Sequence, residues 1–429
     1  MTLRSASPTA CCVSLAVLCL LVAGCSSKDA PAAPPVPPTD AGADTSLDDP
    51  DAAPPPCTAA VNKGPWVVAI DATSAKVRWE SCIKAPGAIS WKPEAGGAAQ
   101  TTTAVVTEAV VPLTFDAPLM NDADFAGTYE MNEVALSGLT ASTCYTFSIA
   151  ADATAQGRFC TARKPGDAFT FAAIGDTNPG LGVTAPMVAS IYGKYRPDFT
   201  LHGGDIQYYS SGLETYQWWM QHMQPMLRTG AFYPSVGNHE DELSGEKKSY
   251  FDRFWGGAGF DGTNEYYRFE SGGVWFFALD TELDESPASE QGTWLESKLL
   301  DAQKQPGFRF SVVFKHRPYV TCGDTGESSS ARAAWASIFV KTGVKLVVQA
   351  HMHGYERFEL EGLTYVTTAG GGGALGDVNA NISRPECASR AASGKFYNAT
   401  IFDVKPGQLV GTVVDDHGAV RDSFTEVVP

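Results

Sequence analysis

From residue 169 onward the chain repeatedly runs through a short apolar stretch into a loop that opens on an aspartate, an asparagine or a histidine. Five such stretches occur: Gly175-Asp176-Thr177-Asn178, Gly204-Asp205-Ile206-Gln207-Tyr208, Gly237-Asn238-His239-Glu240, Val313-Phe314-Lys315-His316 and His351-Met352-His353. The apolar runs before them have strand length, and helix-like segments lie between several of them. Strands are predicted over 169–174, 198–202, 274–279, 308–315 and 344–349, and helices over 183–194, 216–227 and 291–303. Antiparallel strands over 396–404 and 408–414 close the pattern. This alternation predicts an α/β domain with a substantial sheet. Loops at the ends of its strands are where such folds assemble sites.

The residue types on those loops suit divalent or trivalent iron, zinc or manganese: carboxylates, an amide oxygen, imidazoles and a phenolate. Each stretch alone has an ordinary reading. A Gly-Asp pair is a common turn, Asn238 beside Gly237 fits a turn equally well, and His316 fits a hydrogen-bonded core histidine. His351 and His353 are a stronger signal, because a two-residue spacing after a strand aims both rings the same way. Four of the seven histidines fall inside these stretches. His202, His222 and His417 fall outside and read as structural or exposed.

Residues 62–164 differ in character. Short strand-like runs around Trp66, Trp79 and Trp91, broken by turn residues, predict an all-β domain. Leu136-Ser137-Gly138-Leu139 followed by Thr143-Cys144-Tyr145-Thr146-Phe147 resembles the tyrosine-corner region of a fibronectin type III sandwich. This domain reads as structural, with carbohydrate or partner binding as the alternative. Lys164-Pro165-Gly166 marks the change into the α/β domain of residues 165–429.

Residues 1–25 read as a secretory signal, with Arg4 as the one charge and an apolar run too short for a confident membrane span. Leu21-Val22-Ala23-Gly24-Cys25 resembles a bacterial lipobox, which makes Cys25 the expected site of lipidation; an ordinary signal peptide cleaved nearby is the alternative. Residues 26–61 are mostly Pro, Ala and Asp, a composition that cannot offset its ordering entropy and suits a disordered tether. The expectation is an exported lipoprotein, held at the cell envelope with the membrane as a partner through that anchor.

Six further cysteines, an even number in an exported chain, suggest up to three disulfides. Cys144–Cys160 fits a hairpin, leaving Cys57–Cys82 and Cys322–Cys387. A formal charge of −17 argues against nucleic acid as a partner. It does not exclude a phosphate ester, because bound cations dominate the field locally. Oligomeric state is not readable.

In order and spacing the five stretches resemble the purple acid phosphatase family of calcineurin-like metallophosphoesterases. Its pattern is an Asp, then Gly-Asp-x-x-Tyr, Gly-Asn-His-Glu, Val-x-x-His and Gly-His-x-His. The likeness covers roughly residues 65 to 429 and continues through Gly354-Tyr355-Glu356-Arg357 and the glycines at 370–373. It implies an αββα sandwich domain preceded by the fibronectin III-like sandwich. It also implies a phosphatase that hydrolyses phosphate monoesters by attack of a metal-bound hydroxide. Asp176, Tyr208 and His353 would bind one metal, expected to be Fe(III), and Asp205 would bridge. Asn238, His316 and His351 would bind a divalent ion, Zn, Mn or Fe. His239 would protonate the leaving group, with a supporting hydrogen bond as its alternative role.

Three departures stand out. Asn178 occupies a position where the family usually has glycine, and Ala350 replaces another glycine. The stretch after His316 lacks the substrate-side histidines of plant-type members. Asn178 and Arg317 are therefore the candidate substrate contacts, with a surface salt bridge as the other reading of Arg317. The same centre would serve a phosphodiesterase or nucleotide pyrophosphatase, and a non-catalytic surface-binding protein is the reading from another class.

Overall fold

The computed structural model describes residues 58–111, 127–177, 182–206, 216–241, 249–257 and 260–429. Cys25, Cys57, Asn178 and Tyr208 lie outside the described residues, as does the expected leader.

Two sheets face each other across the main core. The first contains the parallel strands Phe169–Ile174, Phe199–His202 and Ala231–Pro234, continued antiparallel by Asn398–Lys405, Gln408–Asp415 and Val420–Val427. The second contains the parallel strands Val274–Ala278, Phe310–Phe314, Val344–Gln349 and Leu363–Thr368, with antiparallel strands at its margins. Their facing side chains are large and aromatic. Phe171 stacks on Phe402 at 4.8 Å and on Phe199 at 5.5 Å, while Phe276 meets Phe171 edge-on at 5.2 Å. Each fully buried ring contributes on the order of 2 kcal/mol, and the offset and edge-on contacts suit the ring quadrupoles.

Helices cover both outer faces. Thr184–Tyr195, Tyr216–His222, Gln224–Leu227 and Ser249–Trp255 pack on the first sheet through Met187, Ile191, Trp219, Leu227 and Phe254. Glu290–Ala302 and Ser329–Lys341 pack on the second through Leu295, Leu299, Trp335 and Phe339. The result is the expected αββα sandwich. The helix expected over 216–227 is two helices, since Pro225 starts the second and supplies no N–H to continue the first. The Ser329–Lys341 helix was not anticipated.

The N-terminal region is all-β, as expected. Gln100–Thr103, Ala88–Pro93, Cys144–Ile149 and Asp152–Cys160 form one sheet, and Lys63–Ile70, Ser74–Ser81, Gly127–Ser137 and Val105–Val111 the other. Tyr145 accepts the Thr140 N–H on its hydroxyl at 2.9 Å, the corner contact its sequence context suggested. Lys63–Ile70 also pairs in parallel with Ala231–Pro234, so one sheet of the N-terminal region runs on into the first sheet of the α/β region. Cys144–Cys160 and Cys322–Cys387 are bonded as expected, and Cys82 is disulfide-bonded.

Candidate metal centre

Asp176, Asp205, Asn238, His316 and His351 all follow the C-terminal ends of parallel strands, two from the second sheet and three from the first. Because the two sheets face each other, those ends bring five loops to one place. One oxygen or nitrogen from each of Asp176, Asp205, His316 and His351 lies within 4.8 Å of the others. Asn238 Oδ1 is 3.0 Å from His316 Nε2, and His353 Nε2 is 3.2 Å from Asp176 Oδ1.

The backbone around the cluster is unusual. Asp176, Asp205 and His351 have φ of 57°, 52° and 68°, three of the six described non-glycine residues in the left-handed region. Such conformations persist only where the surroundings over-determine them, and they concentrate at functional sites. Gly204 explains one part of this packing. Its φ is 89°, and a Cβ there would meet Gly237 N at 2.8 Å and His316 Nδ1 at 3.0 Å. Glu240 supplies another part. Buried, it accepts the N–H groups of Asp205, Ile206 and Gly237 at 2.9, 2.8 and 2.6 Å, tying the Asp205 loop to the Asn238 loop. Burial and the charge of Asp205 push its carboxyl up to about 7, against the pull of those three donors.

The hydrogen bonds around the imidazoles decide what the cluster can hold. His316 Nδ1 donates to Gly203 O at 2.8 Å, which turns Nε2 inward. There it faces Asn238 Oδ1 and His351 Nδ1, both at 3.0 Å, and Asp205 Oδ2 at 3.3 Å. Asn238 and Asp205 present acceptor oxygens there, and with the two imidazoles they form a donor set that suits a cation. In the protein alone a proton serves. Burial opposes a charge on His316, yet Asp205 and Asp176 raise it to about 9. His353 follows the same logic: Nδ1 donates to Ala374 O at 2.8 Å, Nε2 faces Asp176, and against its burial the ring is raised to about 9. Partial burial, and then the charge of His316, lower His351 to about 4. Burial opposes the charge of Asp205, but His316 and His239 hold its carboxyl well below the usual carboxylate range. Donor types, inward-turned nitrogens and the second hydrogen bonds that fix the tautomers of His316 and His353 fit bound metal.

His239 sits at the rim, about a quarter exposed, with its N–H on Asp205 Oδ1 at 3.0 Å and Nε2 3.8 Å from Asp205 Oδ2. Arg317 makes a forked pair with Glu282 at 2.7 and 3.0 Å, and its third nitrogen lies 3.3 Å from His351 Nε2. The salt-bridge reading of Arg317 and its nearness to the centre are thus both true. Ala350, in place of a glycine, packs against Gly175 and Gly203, each of which leaves room for its methyl group. His202, read as structural or exposed, is fully buried. Glu240, Glu282, Thr177 and His202 belong to the site's support and were not singled out for it. The Glu in Gly-Asn-His-Glu was the one such residue carrying a signal, since it stands inside a motif.

A family model described as calcineurin-like phosphoesterase matches residues 169–355. Purple acid phosphatase 22 of Arabidopsis thaliana is 28% identical over 202 residues, covering 44% of this chain and 45% of that protein. An uncharacterized protein of Mycobacterium tuberculosis is 24% identical over 275 residues, covering 55% and 52%. The chain spans about half the length of these curated relatives. Among solved structures, the purple acid phosphatase PPD1 of yellow lupin superposes with a TM-score of 0.66 at 19% identity, covering 85% of this chain and 74% of that one. PhoD superposes with a TM-score of 0.60 at 11% identity, covering 88% and 92%. These two likenesses concern the fold. Strand-end loops, donor set and family model together mark residues 169–355 as a calcineurin-like phosphoesterase domain. Within that class the chain is similar to purple acid phosphatases.

Proposed function

We propose that this chain is a dinuclear metal-dependent phosphatase acting on phosphate monoesters. The observation that supports the reading is the convergence of two carboxylates, an amide oxygen and two imidazoles around one point beside His316 Nε2, a donor set that suits bound metal. Asp176, Tyr208 and His353 would hold one metal, Asn238, His316 and His351 the other, and Asp205 both. When bound, such a pair supplies Lewis-acid polarisation of the phosphoryl group and a water acidified to react near neutral pH.

The remaining work falls to the chain's own groups. His239 stands at the rim, where a leaving alkoxide would need a proton, and its main chain is anchored on Asp205. Arg317 offers a fixed fork to a phosphate oxygen, and Glu282 holds it in place beforehand. Asn178 is the second proposed substrate contact.

A phenolate ligand favours a trivalent ion, so the Tyr208 site is proposed to take Fe(III) and the other Zn, Mn or Fe(II). A visible charge-transfer band, bleached by Tyr208→Phe, tests this. Cys25 is proposed as a lipid anchor holding the enzyme to the cell envelope, the two described disulfides fitting an exported protein; Cys25→Ala should release it into the soluble fraction. The decisive experiment is a substrate panel with metal quantified on the same purified protein. Turnover of monoesters with two metals per chain is expected. Preference for diesters or nucleotide pyrophosphates would move the substrate assignment, and metal-free protein without turnover would overturn the enzyme reading.

A further inference from the structure

Beneath the two aspartate loops lies a hydrogen-bonded hub that the chemistry above does not use. Thr177 directly follows Asp176 and is fully buried. Its hydroxyl accepts the indole N–H of Trp219 at 2.9 Å and donates to Ile206 O at 3.2 Å. It also lies 3.0 Å from His202 Nε2. The tautomer of that histidine follows from its other nitrogen. His202 Nδ1 accepts the Gly204 N–H at 3.2 Å, so the ring proton sits on Nε2 and points at Thr177. Burial holds the ring's pKa down to about 3, which keeps this neutral form in place.

The hydroxyl therefore uses all it has, with both lone pairs occupied by buried N–H donors and its proton on a carbonyl. Three segments meet there: the Asp176 loop, the Asp205 loop through Gly204 and Ile206, and the Tyr216–His222 helix through Trp219. The two aspartate loops are otherwise joined by a backbone bond from Asp176 N–H to Gly204 O at 3.1 Å. Both aspartates hold left-handed conformations that need such external support. Phe232 packs against the His202 ring at 5.5 Å and closes the far side.

We propose that the Thr177 hydroxyl, with His202 and Trp219 as its donors, is a positioning group that fixes Asp176 relative to Asp205 and so sets the metal affinity of the centre. The inference rests on the dinuclear reading above. Supporting hydrogen bonds of this kind change metal affinity by about 10–100-fold. Thr177→Val removes the hydroxyl and keeps the shape, whereas Thr177→Ser restores it.

The test is metal retention by full-length protein dialysed against rising chelator concentration, with metal counted by elemental analysis and melting temperature recorded in parallel. Thr177→Val should release metal at chelator concentrations about tenfold or more below wild type, and Thr177→Ser within about twofold. A Thr177→Val protein that melts earlier but retains metal like wild type overturns the inference, since the hydroxyl would then serve folding alone. Should Thr177→Val fail to fold, Trp219→Phe removes one donor only. Earlier metal release supports the inference and unchanged release overturns it. Wild-type protein that binds no metal overturns this and the dinuclear reading together, whereas two metals in wild type with unchanged variants overturns this alone.

Discussion

Two buried clusters of charge among the described residues are built on opposite principles. In the N-terminal region Glu80 receives Lys63 at 2.5 Å, Asn62 at 2.9 Å and the guanidinium of Arg253, and the Tyr129 ring lies 4.5 Å from Lys63 Nζ and 4.4 Å from the Arg253 guanidinium. Its carboxylate meets donors and its cations meet a carboxylate or a ring face, so the cluster completes itself. At the strand ends, His316 Nε2, His351 Nδ1, Asn238 Oδ1 and Asp205 Oδ2 turn toward one another, a set of metal-type ligands in place of a carboxylate matched by cationic side chains. In the first cluster the carboxylate is matched by cations of the chain itself. The second is complete only with a cation, which is the physical signature of a site as opposed to a brace.

The sharpest way to break this contrast is Asp205→Asn. A neutral amide cannot offset two cations, so turnover should fall on the order of 10³-fold or more and at least one metal equivalent should be lost, with the fold retained. Near-normal turnover with two metals bound would remove Asp205 from its bridging role. His239→Ala should come next, at about 10²–10⁴-fold for alkyl phosphates, with metal content unchanged. Activated aryl phosphates need less help from an acid and should lose less. Equal losses across leaving groups would make His239 a positioning group, and lost metal would make it a ligand.

The clustered side chains of Asp176, Asp205, Asn238, His316 and His351 were legible in the sequence because each stands in a short motif at the end of an apolar strand. What their supports do was not, even where a support such as Glu240 stands inside a motif, because support is long-range. Glu240 acts on Asp205 from 35 positions away and Glu282 on Arg317 from 35. His202 reads as one more strand residue until Thr177 is seen beneath it. The continuous sheet depends on Lys63–Ile70 beside Ala231–Pro234, where the Ile70 N–H meets the Tyr233 hydroxyl 163 positions on. No local pattern announces such a pairing. The Ser329–Lys341 helix is a different failure: Arg332, Trp335, Ala336 and Phe339 have helical spacing, but an arginine and an alanine disguise the buried stripe.

The self-completing cluster makes its own prediction. Glu80→Gln removes the carboxylate that Lys63 and Arg253 share and should cost about 3 kcal/mol of stability, with metal content and turnover per folded molecule unchanged. Burial opposes ionisation of Glu80, but Lys63 and Arg253 outweigh it and hold the carboxyl below its ordinary 4.5. A lowered carboxyl contributes stability that is full above pH 4.5 and lost as pH falls through the folded value. Urea unfolding should therefore show the whole gap between wild type and variant at pH 7, narrowing below pH 4.5. A gap that is constant with pH would mean that shape, not charge, is what Glu80 supplies.

Arg317 lies between the two principles, and the smallest predicted effect decides which it follows. Its guanidinium is paired with Glu282, whose hydrogen bonds raise its pKa further, yet it is partly exposed and stands 3.3 Å from His351 Nε2. If it recognises a substrate phosphate, Glu282 is both its holder and its competitor. A partly exposed pair of this kind is worth about 1 kcal/mol or less, so changes should stay within about fivefold. Arg317→Ala should raise KM by about that factor with kcat little changed, because a contact kept from ground state to transition state alters binding alone. Glu282→Gln should move KM the other way, by about twofold, because a neutral amide competes less for the fork. Opposite shifts would identify Arg317 as a substrate contact and place it with the site. If both variants leave KM alone and lower the melting temperature together, the pair is a brace like Glu80 and its cations, and the phosphate must be held by other groups.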